Sequence, residues 1–207
     1  FGRALICMDN KDLKNLLKKC RTNNFFTYGF DKRANYKILN VKKKSTYSLF
    51  DLQINVLGSK PLNIKKFQLN LLGDHNITNA AAAIAIALNL GVKVNIIKNA
   101  LKKFSGIQRR FTKVFSIKKR DFYDDYAHHP TEIKSVLKAA KQVYPNRKII
   151  CVFQPHRYSR VKLLKKEFAS SFNSSDTVVV CPIYSAGEKI NYSFNQENFL
   201  ELIAKKS

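Results

Sequence analysis

The chain has 207 residues, 45% of them hydrophobic and 12% aromatic, a composition of globular rather than disordered protein, with room for two domains of about 100 residues. No run approaches the ~18 apolar residues of a membrane span, and the opening FGRALICMDN lacks the charged start, apolar centre and cleavage site of a signal peptide, so a soluble cytoplasmic protein is expected. The net charge of +24 raises a nucleic-acid reading, but the lysines are spread along the whole chain and no RNA-binding aromatic motif accompanies them; neither a nucleic-acid nor a membrane partner is expected.

In chain order, Ala4 to Met8 reads as a strand, Lys11 to Lys19 as a helix with Leu13, Leu16 and Leu17 on one side, and Phe25 to Tyr28 as a second short strand ending at Gly29. From Tyr36 to Leu72 the pattern turns to β-type alternation (Phe50, Leu52, Ile54, Val56, then Phe67, Leu69, Leu71), with a turn around Gly58 to Pro61. Asn76 to Leu90 is alanine-rich and strongly helical with Gly91 after its end, and Asn95 to Phe104 is a second amphipathic helix. Ser105-Gly106 breaks the pattern, which divides the chain into domains 1–106 and 107–207 with Ile107 to Phe111 as connector. Beyond it come strand Phe122 to Asp125, helix Pro130 to Val143, strand Ile149 to Phe153, helix Tyr158 to Phe172 and strand Thr177 to Cys181. Alternating short strands and longer helices imply an α/β fold with a parallel, doubly wound sheet.

In such a sheet, ligands bind beyond the carboxyl ends of the strands. The loops leaving the last three strands carry DDYAHHP, QPHRYSR and PIYSAGE, and are expected to project from one edge, while the opposite loops hold ordinary turn residues. His129-Pro130-Thr131-Glu132 also reads as a helix start, whose free N–H groups favour an anion. Arg157 and Arg160, three apart at a helix start, suit a carboxylate or phosphate. At the entry to the alanine-rich helix, GDHNITN places Asn76 and Asn79 on one face, where an amide can both donate to and accept from an adenine edge, although Asn at a helix start is ordinarily a cap. Arg109-Arg110 in the connector suits a phosphate. The cysteines Cys7, Cys20, Cys151 and Cys181 are scattered, with no CxxC pair and no His at ligand spacing; they are expected to be reduced, and no metal ligands are assigned.

The blocks GDHNITNAAAAIAIALNLG, FSGIQRRF, DFYDDYAHHPTEI, FQPHRYSR and IYSAGE occur in the order and approximate spacing of the Mur ligases, and the resemblance covers nearly the whole chain. It implies ATP- and Mg²⁺-dependent peptide-bond synthesis: a lactyl carboxylate takes the γ-phosphoryl group of ATP, and an amine displaces phosphate from the acyl phosphate. The first block is common to all Mur ligases, and the last three together resemble the member that joins L-alanine to UDP-N-acetylmuramate in peptidoglycan synthesis; a relative using a tripeptide acceptor shares an AHHPT-type element but usually not FQPHRYSR. The resemblance makes Asn76 and Asn79 adenine-side residues, Arg110 a contact of the nucleotide phosphates and Asp125 a contact of the ribose. It makes His128, Arg157 and Arg160 the candidate catalytic and substrate-lining residues, with Tyr126 and His156 as neighbours. A homodimer is left open.

Members of the family begin with a UDP-sugar-binding domain, a glycine-rich phosphate loop ending Lys-Thr, and a Glu and a His that hold magnesium. None of these lies within the 207 residues, so residues 1–106 are expected to be the C-terminal half of a central ATP-binding domain and 107–207 an incomplete Rossmann-like C-terminal domain, inactive alone. Two readings of other classes stand beside this one: a metal-dependent hydrolase using Asp124, Asp125, His128 and His129, and a basic nucleic-acid-binding module.

Overall fold

Ile77, Ala80, Ala81, Ile84 and Ala85 recur at helical spacing and are the buried stripe of the longest helix. The three alanines among them let that helix lie close against a sheet. The computed structural model describes residues 2–22, 24–44, 46–56, 58, 60–189 and 195–205, and the chain separates into two compact units, Phe1–Gly106 and Ile107–Ser207.

In the first unit a five-stranded sheet runs in chain order: β1 (Ala4–Cys7), β2 (Phe25–Gly29), β3 (Tyr36–Lys43), β4 (Ser48–Ile54) and β5 (Leu62–Leu69). The first three strands are parallel and the last three form an antiparallel meander. Between β1 and β2 lies α1 (Lys11–Leu17), capped by the Asn10 side chain, which accepts from the N–H groups of Asp12 and Leu13. Two helices follow the sheet, α2 (Asp74–Asn89) and α3 (Val94–Lys103). Gly91 at φ 80° ends α2: its N–H donates to Leu88 O and that of Val92 to Ala87 O, the double bond of a Schellman turn. The core gathers Tyr36, Ile38, Phe50, Leu52, Ile64, Phe67 and Leu69 from the strands against Ile77, Ile84 and Ile97 from the helices.

In the second unit β6 (Thr112–Ile117) and β7 (Arg120–Asp124) form an antiparallel hairpin. This departs from expectation: the sequence reading leaves β6 unplaced and pairs the Phe122 strand in parallel. Every residue of β6 from Lys113 to Ile117 is exposed, so the strand has no buried face to write an alternation into the sequence. Next come α4 (Pro130–Val143), β8 (Ile150–Phe153), α5 (Tyr158–Leu163), α6 (Lys165–Ala169), β9 (Thr177–Val180) and α7 (Gln196–Ala204). β8 and β9 pair in parallel, as the alternating pattern predicts. The single helix expected over Tyr158 to Phe172 is two short ones, broken at Leu164 (φ −109°, ψ 26°), and α7 was not among the expected elements. Phe153, Val161, Phe168, Phe172, Phe199 and Ile203 form the second core, while Ile150, Val152 and Val179 on the alternate positions of β8 and β9 are exposed. No helix of the described residues is long and apolar enough to cross a membrane.

Candidate active site

The loop after β7 is built on carboxylates that accept from backbone amides. Asp125 accepts from the N–H of Phe111 through Oδ2 and from that of Ala127 through Oδ1, both at 2.7 Å. Glu132 accepts from the N–H groups of His128 (3.1 Å) and His129 (3.3 Å), while Nδ1 of His129 accepts from Thr131 N–H (3.3 Å), so the start of α4 is capped from both sides. Burial pushes the Glu132 carboxyl up, but those two amides, the neighbouring His128 and the Arg110 charge outweigh it and hold the group below its ordinary range. The connector folds onto this loop: Tyr126 N–H donates to Arg109 O (2.8 Å), the Arg109 guanidinium lies over the Tyr126 ring at 4.9 Å, and Arg110 Nη1 stands 3.5 Å from Glu132 Oε1.

The loops after β7, β8 and β9 meet, although β7 pairs with β6 and only β8 and β9 pair with each other, so they do not leave one edge of a single sheet as expected. Tyr126 packs edge-on to His128 at 5.0 Å between centroids, His128 lies 5.9 Å from His156, and His156 lies 5.5 Å from Tyr184. Nδ1 of His128 is 2.9 Å from Tyr126 O; because a carbonyl oxygen only accepts, Nδ1 carries the proton and Nε2 is the nitrogen left for other chemistry. Arg160 Nη1 reaches Nδ1 of His156 at 3.4 Å. Burial lowers the His156 pKa, and the charges of Arg160, His128 and Arg157 lower it further against the opposing pull of Glu188, so the ring is neutral near pH 7. Arg160 and two histidines share this cluster and the Arg157 charge acts on it, while Glu132 stands 3.7 Å from His128 and Glu188 acts on His156 from the other side.

Tyr126, His128, His156 and Arg160 are thus brought into one cluster, with Arg157 joined to it through its N–H on Tyr184 O (2.9 Å). Arg157 corrects one expectation. It lies outside the helix, at the N-cap of α5 with φ 72° and ψ 129°, so the three-residue spacing to Arg160 does not by itself place the two guanidiniums on one helical face. Asn76 and Asn79 belong to the first unit; both lie in the first turns of α2, where Asn76 Nδ2 donates to Leu72 O at 2.8 Å and keeps its Oδ1, and Asn79 is exposed. Among the described residues no group of three or more His, Cys, Asp or Glu side chains is placed to hold a metal ion. Asp124 pairs with Arg109 at 3.3 Å and His129 caps a helix, so these side chains do not form the ligand set of the hydrolase alternative.

Sequence reasoning named the loops but missed Tyr184, Ser159 and Glu188 as individual members. The signal was their place in PIYSAGE and HRYSR; which side chains meet depends on tertiary contacts.

Residues 2–87 match the Mur ligase middle domain, and residues 109–206 match the domain described as Mur ligase, glutamate ligase domain. The chain belongs to the Mur ligase family. It is 52% identical over all 207 residues to the UDP-N-acetylmuramate--L-alanine ligase of Pelagibacter ubique, and 37% identical over 203 residues (98% of the chain) to that of Brucella anthropi. It spans 45% and 43% of those two proteins. The crystal structure of the UDP-N-acetylmuramate-alanine ligase MurC of Thermotoga maritima superposes on 98% of this chain and 41% of its own, with TM-score 0.68 and 28% identity. A murein peptide ligase from Psychrobacter arcticus, at 24% identity and TM-score 0.62 over 86% of this chain and 37% of its own, shares the fold.

Proposed function

We propose that this chain is the part of a cytoplasmic UDP-N-acetylmuramate:L-alanine ligase that carries the C-terminal half of the central ATP-binding domain (1–106) and the Rossmann-like C-terminal domain (107–207). One observation carries the reading: Tyr126, His128, His156 and Arg160 converge where three loops meet, in a chain 52% identical to a ligase of that name.

ATP with magnesium supplies the phosphoryl group that turns the lactyl carboxylate of UDP-N-acetylmuramate into a leaving-group-bearing acyl centre, with ADP released; the L-alanine amine then forms the amide bond and phosphate departs. The contribution of this chain is positioning and charge neutralisation. Arg157 and Arg160 hold a carboxylate, the donor forks of their guanidiniums fitting its two oxygens. His128, with Nδ1 fixed on the Tyr126 carbonyl, presents Nε2, and neutral His156 keeps Arg160 in place without a competing charge. Asn76 and Asn79 take the adenine edge, Arg110 the nucleotide phosphates and Asp125 the ribose, through lone pairs its two amide bonds leave open.

The test joins this chain to the upstream residues of the Pelagibacter ubique relative and measures phosphate release. Release that needs both UDP-N-acetylmuramate and L-alanine is expected. Release with a tripeptide in place of L-alanine would reassign the acceptor, and release with neither would end the proposal. In the same protein Arg157→Ala is expected to raise KM for L-alanine or UDP-N-acetylmuramate by about 10- to 100-fold, the ~1.5–3 kcal/mol of a charge-assisted hydrogen bond, and Asn79→Ala to act mainly on KM for ATP.

A further inference from the structure

Arg157 has a backbone that favours glycine. With φ 72° and ψ 129° it occupies a region that L-residues enter only when their surroundings over-determine it. Something must therefore hold the backbone there. Its N–H donates to Tyr184 O (2.9 Å), Tyr184 N–H donates to Pro155 O (2.9 Å), and His156 and Tyr184 form a parallel bridge, so the loops after β8 and β9 are laced on the amino-terminal side of Arg157. On the other side, Arg157 O starts α5 by accepting from the N–H of fully buried Val161.

The helix start itself lacks a local cap. Arg157 is the N-cap residue and its side chain has no acceptor, so the first N–H groups of α5 cannot be satisfied from within the turn. Glu188 supplies the acceptor from the other loop: Oε2 takes the backbone N–H of Ser159 at 3.1 Å and Oε1 takes the Ser159 hydroxyl, 29 residues away in sequence. Those bonds, followed by the Arg157 charge, hold the Glu188 carboxyl below its ordinary range, so it is ionised at neutral pH and accepts only.

We infer that Glu188 is a positioning residue for the amino-acid acceptor: through Ser159 it clamps the IYSAGE loop to the start of α5, holds Arg157 at positive φ, and thereby sets where the guanidiniums of Arg157 and Arg160 stand. The clamp is a statement about the fold; its effect on the acceptor rests on the reading under Proposed function.

Two readouts keep the two apart. Amide hydrogen exchange, measured on the 207-residue chain, is expected to speed up by about tenfold or more at Arg157 and Ser159 in Glu188→Ala while the amides of α4 keep wild-type rates. In the phosphate-release assay Glu188→Ala is expected to raise KM for L-alanine by about tenfold and leave KM for ATP within about twofold, with Glu188→Gln, which keeps an acceptor oxygen for Ser159, recovering most of the loss. Should Glu188→Ala fail to fold, Ser159→Ala and Glu188→Gln carry the same comparison. Wild-type exchange at both amides, or KM values for ATP and L-alanine that rise in parallel, would overturn the inference. If Arg157→Ala and Arg160→Ala leave KM for L-alanine and UDP-N-acetylmuramate unchanged, the site reading falls instead, and the exchange data still judge the clamp.

Discussion

Asp125 binds Phe111 across 14 residues, its Oδ2 accepting the Phe111 N–H at 2.7 Å while Oδ1 takes Ala127 N–H at the same distance. One carboxylate therefore fixes the connector to the loop that carries Tyr126 and His128. Asp125→Ala is expected to cost about 1–3 kcal/mol of unfolding free energy, because two partly buried amides lose their acceptor. Asp125→Asn keeps one acceptor but turns an NH₂ toward the other amide, so its cost is expected to lie between wild type and Ala. Urea unfolding followed by circular dichroism measures both; an Ala variant as stable as wild type would show that water replaces the carboxylate.

Asp51 performs a similar task in the first unit. β3 and β5 each carry an extra residue against β4, the first between Leu39 and Lys42 opposite Phe50 and the second between Ile64 and Phe67 opposite Asp51, and the Asp51 side chain bonds to both. Its Oδ2 accepts from Asn40 Nδ2 and its Oδ1 from Lys66 N–H, both at 2.8 Å, with Asn40 and Lys66 at φ 51° and 61°. Burial pushes this carboxyl up, but the two bonds and the charges of Lys65 and Lys42 bring it below its ordinary value. A depressed carboxylate contributes stability above its unfolded pKa of about 3.9 and loses it as pH falls through the lower folded value. Asp51→Ala is therefore expected to lower stability at pH 7 and to flatten the decline of stability below about pH 4. An unchanged acid slope in the variant would assign that decline to other carboxylates.

These bulges also mark where sequence legibility stops. The helices α2 and α4 are written plainly, one by an alanine-isoleucine stripe ending at Gly91, the other by Pro130 and Glu132 at its start. The strand-end loops were legible too, because polar DDYAHH and QPHRYSR directly follow apolar strands. What failed to show was anything set by distant partners. The positive φ of Asn40, Lys66 and Arg157 is imposed by Asp51 and by the IYSAGE loop on residues that are not glycine. Likewise β6 lacks a buried face, and the break at Leu164 involves neither Gly nor Pro.

Gly29 is one glycine whose lack of a side chain is required by a neighbour. It sits at φ 136°, and a Cβ there would lie 2.5 Å from Asp9 Oδ2. That carboxylate is not free to swing away, since it accepts from Phe30 N–H at 2.9 Å and from Asp31 N–H at 3.1 Å. Gly29→Ala is expected to destabilise the first unit by about 1–3 kcal/mol through backbone strain and loss of these bonds. Amide exchange at Phe30 and Asp31 is the local check, and protection equal to wild type would refute the mechanism.

The cluster of His128, His156, Arg157 and Arg160 makes a pH prediction with a definite sign. His156 has a folded pKa below its ordinary value, from burial first and then from the charges of Arg160, His128 and Arg157, partly offset by Glu188. The unfolded chain, with an imidazole pKa of about 6.5, therefore binds a proton that the fold resists as pH drops past that value. Stability of the second unit is expected to fall on acidification through about pH 6.5 and to level off below the folded pKa, where both states are protonated. Arg160→Ala removes the largest of the neighbouring charges, so the ring proton of His156, followed by NMR, is expected to titrate closer to about 6.5 and the acid loss to shrink. A His156 titration that stays put or moves lower in Arg160→Ala would show that the guanidinium is not the group the ring senses.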